Sequence, residues 1–125
     1  MINMSDSRLV AIVEDDRSVQ SALKDLLESA GLSARSFASA EEFLESDQRS
    51  LTCCLIADIR MAGISGLEMQ ARLNAEGSRI PIIFITAHGN EIIKKQAITA
   101  GAFGFLYKPF DDDLLLEKVR TALKN

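Results

Sequence analysis

LVAIVEDD, residues 9–16, contains five apolar residues in a row followed directly by three acids. A continuous apolar run of this length indicates a strand that is covered on both faces. Further apolar runs occur at residues 53–57, 80–85 and 103–107, and residues 32–37 alternate apolar with small or charged residues, as in a shorter strand nearer an edge. Segments with helical spacing of their apolar residues separate these runs. This alternation predicts an α/β fold, a (βα)5 doubly wound parallel sheet of five strands with helices on both faces.

Capping residues mark where the predicted helices begin. The acids after the first strand can cap the following helix, and Asp16 is read as such a cap. Ser39 has Glu42 three residues later, which is the spacing of a capping box. The last helix carries one apolar stripe, formed by Leu116, Val119 and Leu123.

Length and composition limit the classes of function. The 125 residues predict a single domain over 1–125 with its core at 9–123 and no output domain. A net charge of −4 disfavours direct contact of this domain with nucleic acid. No apolar run reaches the roughly 18 residues that span a membrane, and the polar residues 1–8 lack a signal-peptide core, so we expect a cytoplasmic location. Cys53 and Cys54 have no metal-ligand spacing and read as buried apolar residues.

Polar side chains follow four of the predicted strands. Glu14 and Asp15 follow the first, Asp58 the third, Thr86 the fourth and Lys108 the fifth. Because parallel strands end at the same edge of a sheet, we expect these side chains to meet there. Three carboxylates in one cleft repel each other by about 4 kcal/mol per pair at 4 Å, so a cation is expected among them. The set predicts a site for a divalent cation and a phosphoryl group.

In this order the motifs resemble those of the receiver domain of two-component response regulators. The resemblance spans nearly the whole chain and rests on residues 13–16, Asp58 with the loop ending at Gly66, 86–87 and 108–110. It implies a flavodoxin-like (CheY-like) sheet with strand order 2-1-3-4-5. Residues 58–61 and 85–89 look like those of FixJ-like receivers, which usually precede a LuxR-type helix-turn-helix domain.

The resemblance implies a chemical role for each acid. Asp58 is the nucleophile that takes a phosphoryl group from a phosphohistidine of a sensor histidine kinase or phosphotransfer protein. Glu14, Asp15, Asp58 and the backbone carbonyl of Arg60 are the implied ligands of Mg²⁺, for which Mn²⁺ can substitute. The protein would catalyse only its own phosphorylation and dephosphorylation and would otherwise not be an enzyme.

The resemblance also implies a conformational switch that serves transcription regulation. Lys108 and Thr86 would contact the phosphoryl oxygens, and Thr86 and Phe105 would move together. The surface around residues 90–100, 104–108 and the last helix would then change and contact a partner, an attached DNA-binding domain or a second copy of the chain. Arg60 and His88 flank the phosphoryl site and are expected to tune the lifetime of the phosphate.

One residue departs from the pattern of the resembled family. Proline usually follows the methionine of the loop after the phosphorylated aspartate, and here Ala62 follows Met61. Alanine restores a backbone N–H donor and frees φ, so the loop is expected to be more mobile.

Three other functions are weighed against this interpretation. An aspartate-nucleophile phosphatase typically needs an acid two residues after the nucleophile, where this chain has Arg60. A flavin-binding module needs a phosphate loop after the first strand, and residues 14–16 would repel the phosphate. A degenerate receiver would bind a partner without being phosphorylated, and it stays an alternative.

Overall fold

The computed structural model describes residues 8–124 and consists of one five-stranded sheet with helices on both faces. The strands are β1 Leu9–Val13, β2 Ser33–Phe37, β3 Thr52–Ala57, β4 Ile82–Thr86 and β5 Gly104–Tyr107. The helices are α1 Arg17–Ser29, α2 Ala40–Leu44, α3 Gly66–Ala75, α4 Glu91–Thr99 and α5 Asp112–Leu123. The expectations about a signal peptide and the first domain residues concern residues 1–7, which lie outside the described part.

The sheet is parallel throughout, with strand order β2-β1-β3-β4-β5, and this confirms the fold and topology that the sequence led us to expect. Its register sets Val13 opposite Ala57 and Ala57 opposite Phe84. The carboxyl ends of β1 and β3 are therefore level with each other, and β4 continues for two more residues, to Thr86. The residues that directly follow these strands therefore lie near one another at the same edge of the sheet.

Strand β1 is buried on both faces because each face meets a separate layer of helices. Ala11 and Val13 pack in the layer formed with α2, α3 and α4, whereas Val10 and Ile12 pack with α1 and α5. This is why its sequence is a continuous apolar run rather than an alternating one. Cys54 is buried in the α1/α5 layer, as expected, and burial raises the pKa of its thiol to about 12.

Two of the predicted helix caps are confirmed. The Asp16 side chain accepts from the amides of Ser18 and Val19 at the start of α1. The Ser39 hydroxyl accepts from the Glu42 amide at 3.0 Å at the start of α2. These contacts satisfy backbone donors that the first helical turn leaves without partners.

The predicted apolar stripe of α5 is confirmed at Val119 and Leu123 but is centred closer to Leu115 than to Leu116. Leu115, Val119, Ala122 and Leu123 are buried, whereas Leu116 is only half-buried. Both stripes have helical spacing, and the contact with the sheet selects the one that starts at Leu115.

The boundaries of β1 are as predicted, those of the other strands differ by one or two residues, and a 3-10 helix at Asp47–Leu51 was not predicted. Strand β4 begins at Ile82 because Pro81 has no amide donor, although the Pro81 carbonyl accepts from the Leu55 amide at 2.9 Å. The short 3-10 helix has no apolar periodicity that would reveal it. Among residues 8–124, no helix is long and apolar enough to cross a membrane.

Two side-chain amides of α3 fasten the carboxyl end of α4. Gln70 Nε2 donates to the Ala97 carbonyl at 3.0 Å, and Asn74 Nδ2 donates to the Ala100 carbonyl at 2.8 Å. Gln70 is 2% exposed, whereas Asn74 is exposed. The carbonyls at a helix end lack partners within the helix, so these bonds stabilise the last turn of α4.

Replacing Gln70 with alanine is expected to lower the free energy of unfolding by about 2 kcal/mol, because a buried hydrogen bond is lost and a cavity is left. Urea denaturation measures this change. Asn74→Ala is the matched control on the same helix face, and its exposed bond should contribute less than about 1 kcal/mol. Equal, small effects of both substitutions would contradict the fastening role of Gln70.

Candidate functional site

The structure brings most of the predicted site residues together at the carboxyl edge of the sheet. Glu14 and Asp15 follow β1, Asp58 follows β3 and Lys108 follows β5, and all four line one cleft of about 510 Å³. The backbone places them there, since the Asp58 amide donates to the Val13 carbonyl at 3.1 Å. The predicted meeting of three carboxylates and an ammonium is therefore observed.

Lys108 is the centre of the site. Its Nζ lies 2.8 Å from Asp58 Oδ2 and 2.9 Å from Glu14 Oε1. Both carboxylates are buried, and the lysine side chain is 20% exposed. Two acids thus share one cation at the sheet edge.

These contacts shift the protonation equilibria of the site. Burial raises the pKa of Glu14, although hydrogen bonds from Lys108 and the Asp16 amide act in the opposite direction. Burial acts to lower the pKa of Lys108, but its hydrogen bonds to Asp58 and Glu14 outweigh it, and the pKa lies above the ordinary lysine value. Lys108 therefore stays charged over the physiological range.

Lys108 offsets part of the charge of the acids in the absence of a metal ion. Its ammonium contacts Glu14 and Asp58, whereas Asp15 Oδ2 accepts from the Ala62 amide at 3.3 Å. Within residues 8–124, no group of three His, Cys, Asp or Glu side chains converges closely enough to hold a metal ion. The acids alone do not form a finished metal site.

The donor set nevertheless fits a hard divalent cation. Mg²⁺ in proteins is held by one or two carboxylates, with water and phosphate oxygens in its other positions. Asp15, Asp58 and Glu14 all provide carboxylates to the lining of the cleft. Arg60, whose carbonyl is the expected fourth ligand, also lines the cleft. A complete cage of protein ligands is not required.

Both oxygens of Asp58 are held in place. Lys108 Nζ donates to Oδ2, and the Arg60 amide donates to Oδ1 at 3.1 Å. The amide contact was not predicted, because the sequence analysis considered only the carbonyl of Arg60. The two donors orient the carboxylate in a cleft that reaches solvent.

Thr86 lies behind the cleft. It is fully buried, and its hydroxyl oxygen accepts from the His88 amide at 3.0 Å rather than contacting Asp58. The Thr86 carbonyl also accepts from the Lys108 amide at 2.9 Å, which ties β4 to the start of the lysine loop. The hydroxyl is therefore positioned by its own loop.

Phe105 is buried in this structure and packs close to Thr86. Its ring centroid lies 5.4 Å from that of Tyr107 and 6.3 Å from that of Phe84. A Cβ built on Gly89 would lie 2.9 Å from Thr86 Cγ2 and 3.0 Å from Phe105 Cζ. Only a glycine allows the loop after β4 to approach both proposed switch residues this closely.

Arg60 and His88 meet over the cleft. Arg60 Nη1 lies 3.1 Å from His88 Nδ1, and both side chains are exposed. An arginine can only donate, so Nδ1 is the acceptor of this bond. The predicted flanking position of both residues is observed.

Two contacts of the loop after β3 were missed by sequence reasoning. The Ala62 amide donates to Asp15, and Glu41 of α2 accepts from the Ile64 amide at 3.2 Å. The alanine in the place of the usual proline was the signal for the first contact. Nothing in the sequence indicates the second, which depends on how α2 packs against the loop.

Comparison with known proteins agrees with this geometry. The family model of the response regulator receiver domain matches residues 10–120. The chain belongs to this family. Receiver domains are phosphoacceptor switches of two-component signalling, and the homologues of this one are signalling proteins rather than classical enzymes.

Curated relatives of this receiver domain include longer regulators. The response regulator protein TodT of Pseudomonas putida is 46% identical over 98% of this chain and 54% of its own length. The transcriptional regulatory protein FixJ of Azorhizobium caulinodans is 40% identical over 96% of this chain and 57% of its own length. The chain thus spans about half the length of the curated relatives it matches.

Solved structures confirm the fold of the receiver domain and support its FixJ type. The crystal structure of FixJ-N has a TM-score of 0.87 and 34% identity, covering 98% of this chain and 97% of that one. The structure of the response regulator StyR has a TM-score of 0.87 and 42% identity, covering 95% and 60%.

Proposed function

We propose that this receiver domain accepts a phosphoryl group on Asp58 from a phosphohistidine of a sensor histidine kinase or phosphotransfer protein. The observation that carries the proposal is the oriented Asp58 carboxylate, held by Lys108 and the Arg60 amide in a cleft open to a donor. In the reaction an Asp58 oxygen bonds to phosphorus and the phosphorus–nitrogen bond breaks. The released electron pair returns to the imidazole.

The remaining residues would stabilise the transferred group. Lys108 exchanges one of its present carboxylate partners for a phosphoryl oxygen, and its charge offsets the negative charge that gathers there. A divalent cation, Mg²⁺ or Mn²⁺, held by Asp15, Asp58 and Glu14 with the Arg60 carbonyl, supplies further positive charge when bound. No residue of the chain needs to act as a general acid.

We place the conformational response in Thr86 and Phe105. The Thr86 hydroxyl leaves the His88 amide and turns toward the phosphoryl group, and Phe105 adjusts because both side chains crowd Gly89. The surface formed by α4, β5 and α5 would then change. Ile92 is 71% exposed, Leu114 40% and Tyr107 39%, so this surface already presents apolar groups to a partner or a second copy.

The output is proposed to be transcription regulation in the cytoplasm through an attached or separate DNA-binding domain. Its support is the set of relatives described as transcriptional regulatory proteins, which are about twice as long as this chain. With a net charge of −4, this domain itself is not expected to bind DNA. Arg60 and His88, which meet above Asp58, would control the access of water and hence the phosphate lifetime.

Incubation with acetyl phosphate and Mg²⁺ is expected to add a single phosphoryl group, detected by intact mass. Asp58→Asn should abolish the adduct, because the nucleophilic carboxylate is lost. Asp25→Asn, which removes an exposed acid of α1, is the matched control and should be phosphorylated like the original chain. Omission of Mg²⁺ should strongly reduce the adduct.

An adduct that persists in Asp58→Asn would overturn the assignment of the phosphoacceptor. A folded protein that forms no adduct under any condition would instead support the degenerate receiver, which binds a partner without modification. The phosphatase alternative remains unsupported, since Arg60 stands where its general acid would be needed.

A further inference from the structure

Alternate backbone amides of the loop between β3 and α3 donate to carboxylates from three different parts of the fold. The donor and acceptor pairs are Arg60 with Asp58, Ala62 with Asp15, and Ile64 with Glu41, at 3.1, 3.3 and 3.2 Å. The loop is therefore held at three points, and each acceptor is negatively charged. Only one of the three acceptors, Asp15, is an exposed acid.

The contact at Ala62 involves Asp15, which the proposed function assigns as a ligand of the metal ion. The amide holds Asp15 Oδ2, while Lys108 is engaged by Glu14 and Asp58. A carboxylate oxygen that accepts an N–H is a weaker ligand for a cation, because its lone pairs already face a positive partner. An incoming cation in turn repels the hydrogen of that amide.

We propose that the Ala62 amide competes with the divalent cation for the Asp15 carboxylate, so that metal binding releases this point of the loop. The inference rests on the metal site of the proposed function. It makes the metal affinity of this chain depend on a backbone donor that a proline at position 62 would not have. Ala62 is thus a positioning residue that acts through Asp15.

Glu41 limits how far the released loop can move. Gly63 has a φ of +81°, and a Cβ there would lie 2.4 Å from Glu41 Oε2, so the chain turns sharply against this carboxylate. Glu41 Oε2 also holds the Ile64 amide, which no metal ligand contacts. Release at Ala62 therefore frees only the short segment between the Arg60 amide, which Asp58 holds, and Gly63, while the chain from Ile64 onward stays anchored.

Amide hydrogen exchange measured by NMR, with and without saturating Mg²⁺, tests the competition in the unaltered protein. Exchange of the Ala62 amide is expected to become roughly two- to tenfold faster with Mg²⁺, as for the loss of one modest hydrogen bond. The Ile64 amide is the internal control and should not change. If Asp15 binds the metal through Oδ1 and keeps the amide on Oδ2, Ala62 exchange stays the same and the proposal is wrong.

The second test is the dissociation constant for Mg²⁺ from calorimetry on variants of position 62. Ala62→Pro removes the donor and should bind Mg²⁺ roughly two- to tenfold more tightly. Ala62→Gly keeps the donor and should show no gain. Every non-glycine residue of the described chain has a negative φ, so the sign of φ at Ala62 is compatible with proline.

The outcomes separate this inference from the proposed function. The competition is overturned if Mg²⁺ binds without changing the exchange rate of the Ala62 amide. It is also overturned if the original chain, Ala62→Pro and Ala62→Gly bind Mg²⁺ equally well. Either result leaves the metal site of the proposed function intact. If Mg²⁺ binds to none of the three chains, both the competition at Ala62 and the metal site of the proposed function are overturned. If Ala62→Pro does not fold, the exchange measurement on the unaltered protein decides.

Discussion

Lys108→Met is expected to lower the free energy of unfolding by about 3 kcal/mol, because two buried carboxylates lose their shared cation. Glu14 and Asp58 would remain as uncompensated charges with side chains that are 2% and 6% exposed. Methionine keeps most of the aliphatic stem of the lysine, so the loss reports on charge rather than on packing. Denaturant unfolding at neutral pH without divalent cations measures the change.

Two further variants isolate the cause of this loss. Lys95→Met removes an exposed lysine of α4 and should change the stability by less than about 0.5 kcal/mol. Asp58→Asn introduced beside Lys108→Met should recover part of the loss, since one of the two uncompensated charges is gone. A loss below about 1 kcal/mol for Lys108→Met, or strict additivity in the double variant, would argue against the shared ion pair.

The pH dependence of the same variant follows from the raised pKa of Lys108. A group whose pKa is raised by folding contributes stability below its unfolded pKa and loses that contribution as the pH rises through its folded pKa. The stability difference between the original chain and Lys108→Met should therefore stay constant from neutral pH to about pH 10.5, the ordinary lysine value, and shrink above it. A difference that shrinks at neutral pH would mean that Lys108 is not charged in the way described.

Gly66→Ala is expected to destabilise the protein by about 3 kcal/mol, although glycine-to-alanine changes in helices usually stabilise by roughly 1 kcal/mol. A Cβ at position 66 would lie 2.3 Å from the Asp58 carbonyl oxygen and 3.0 Å from Ile59 Cα. Backbone cannot yield as a flexible side chain can, so the first turn of α3 or the segment after β3 must shift. Urea denaturation gives the stability, and adduct formation with acetyl phosphate gives the function.

The functional consequence follows from the position of the clash. The shift displaces the backbone of Asp58, the proposed phosphoacceptor, so phosphorylation should slow even at temperatures where the variant is folded. Gly104→Ala is the control, because its Cβ would lie 3.1 Å from the flexible Lys118 side chain and at ordinary contact distances of 3.6 and 3.7 Å from Ile83. A Gly66→Ala chain as stable and as reactive as this control would refute the close approach.

Much of the architecture is readable without coordinates because it depends on local chemistry. The apolar run before Glu14 is typical of a strand covered on both faces, and capping by Asp16 and Ser39 needs only neighbouring amides. The face of α5 shows the limit of such reasoning. Stripes starting at Leu115 or at Leu116 have equally helical spacing, and only contact with the sheet distinguishes them.

For the site, the order of the motifs determines which residues share an edge, since each functional residue directly follows or ends a strand. The order of the motifs does not determine which of those residues touch. That Lys108 bridges Glu14 and Asp58, that Thr86 faces its own loop, and that Ala62 and Glu41 hold the loop after β3 depend on ångström-scale packing of segments far apart in the chain. Hydrogen bonds form or fail over a few tenths of an ångström, and such distances are set by the whole fold rather than by any one segment.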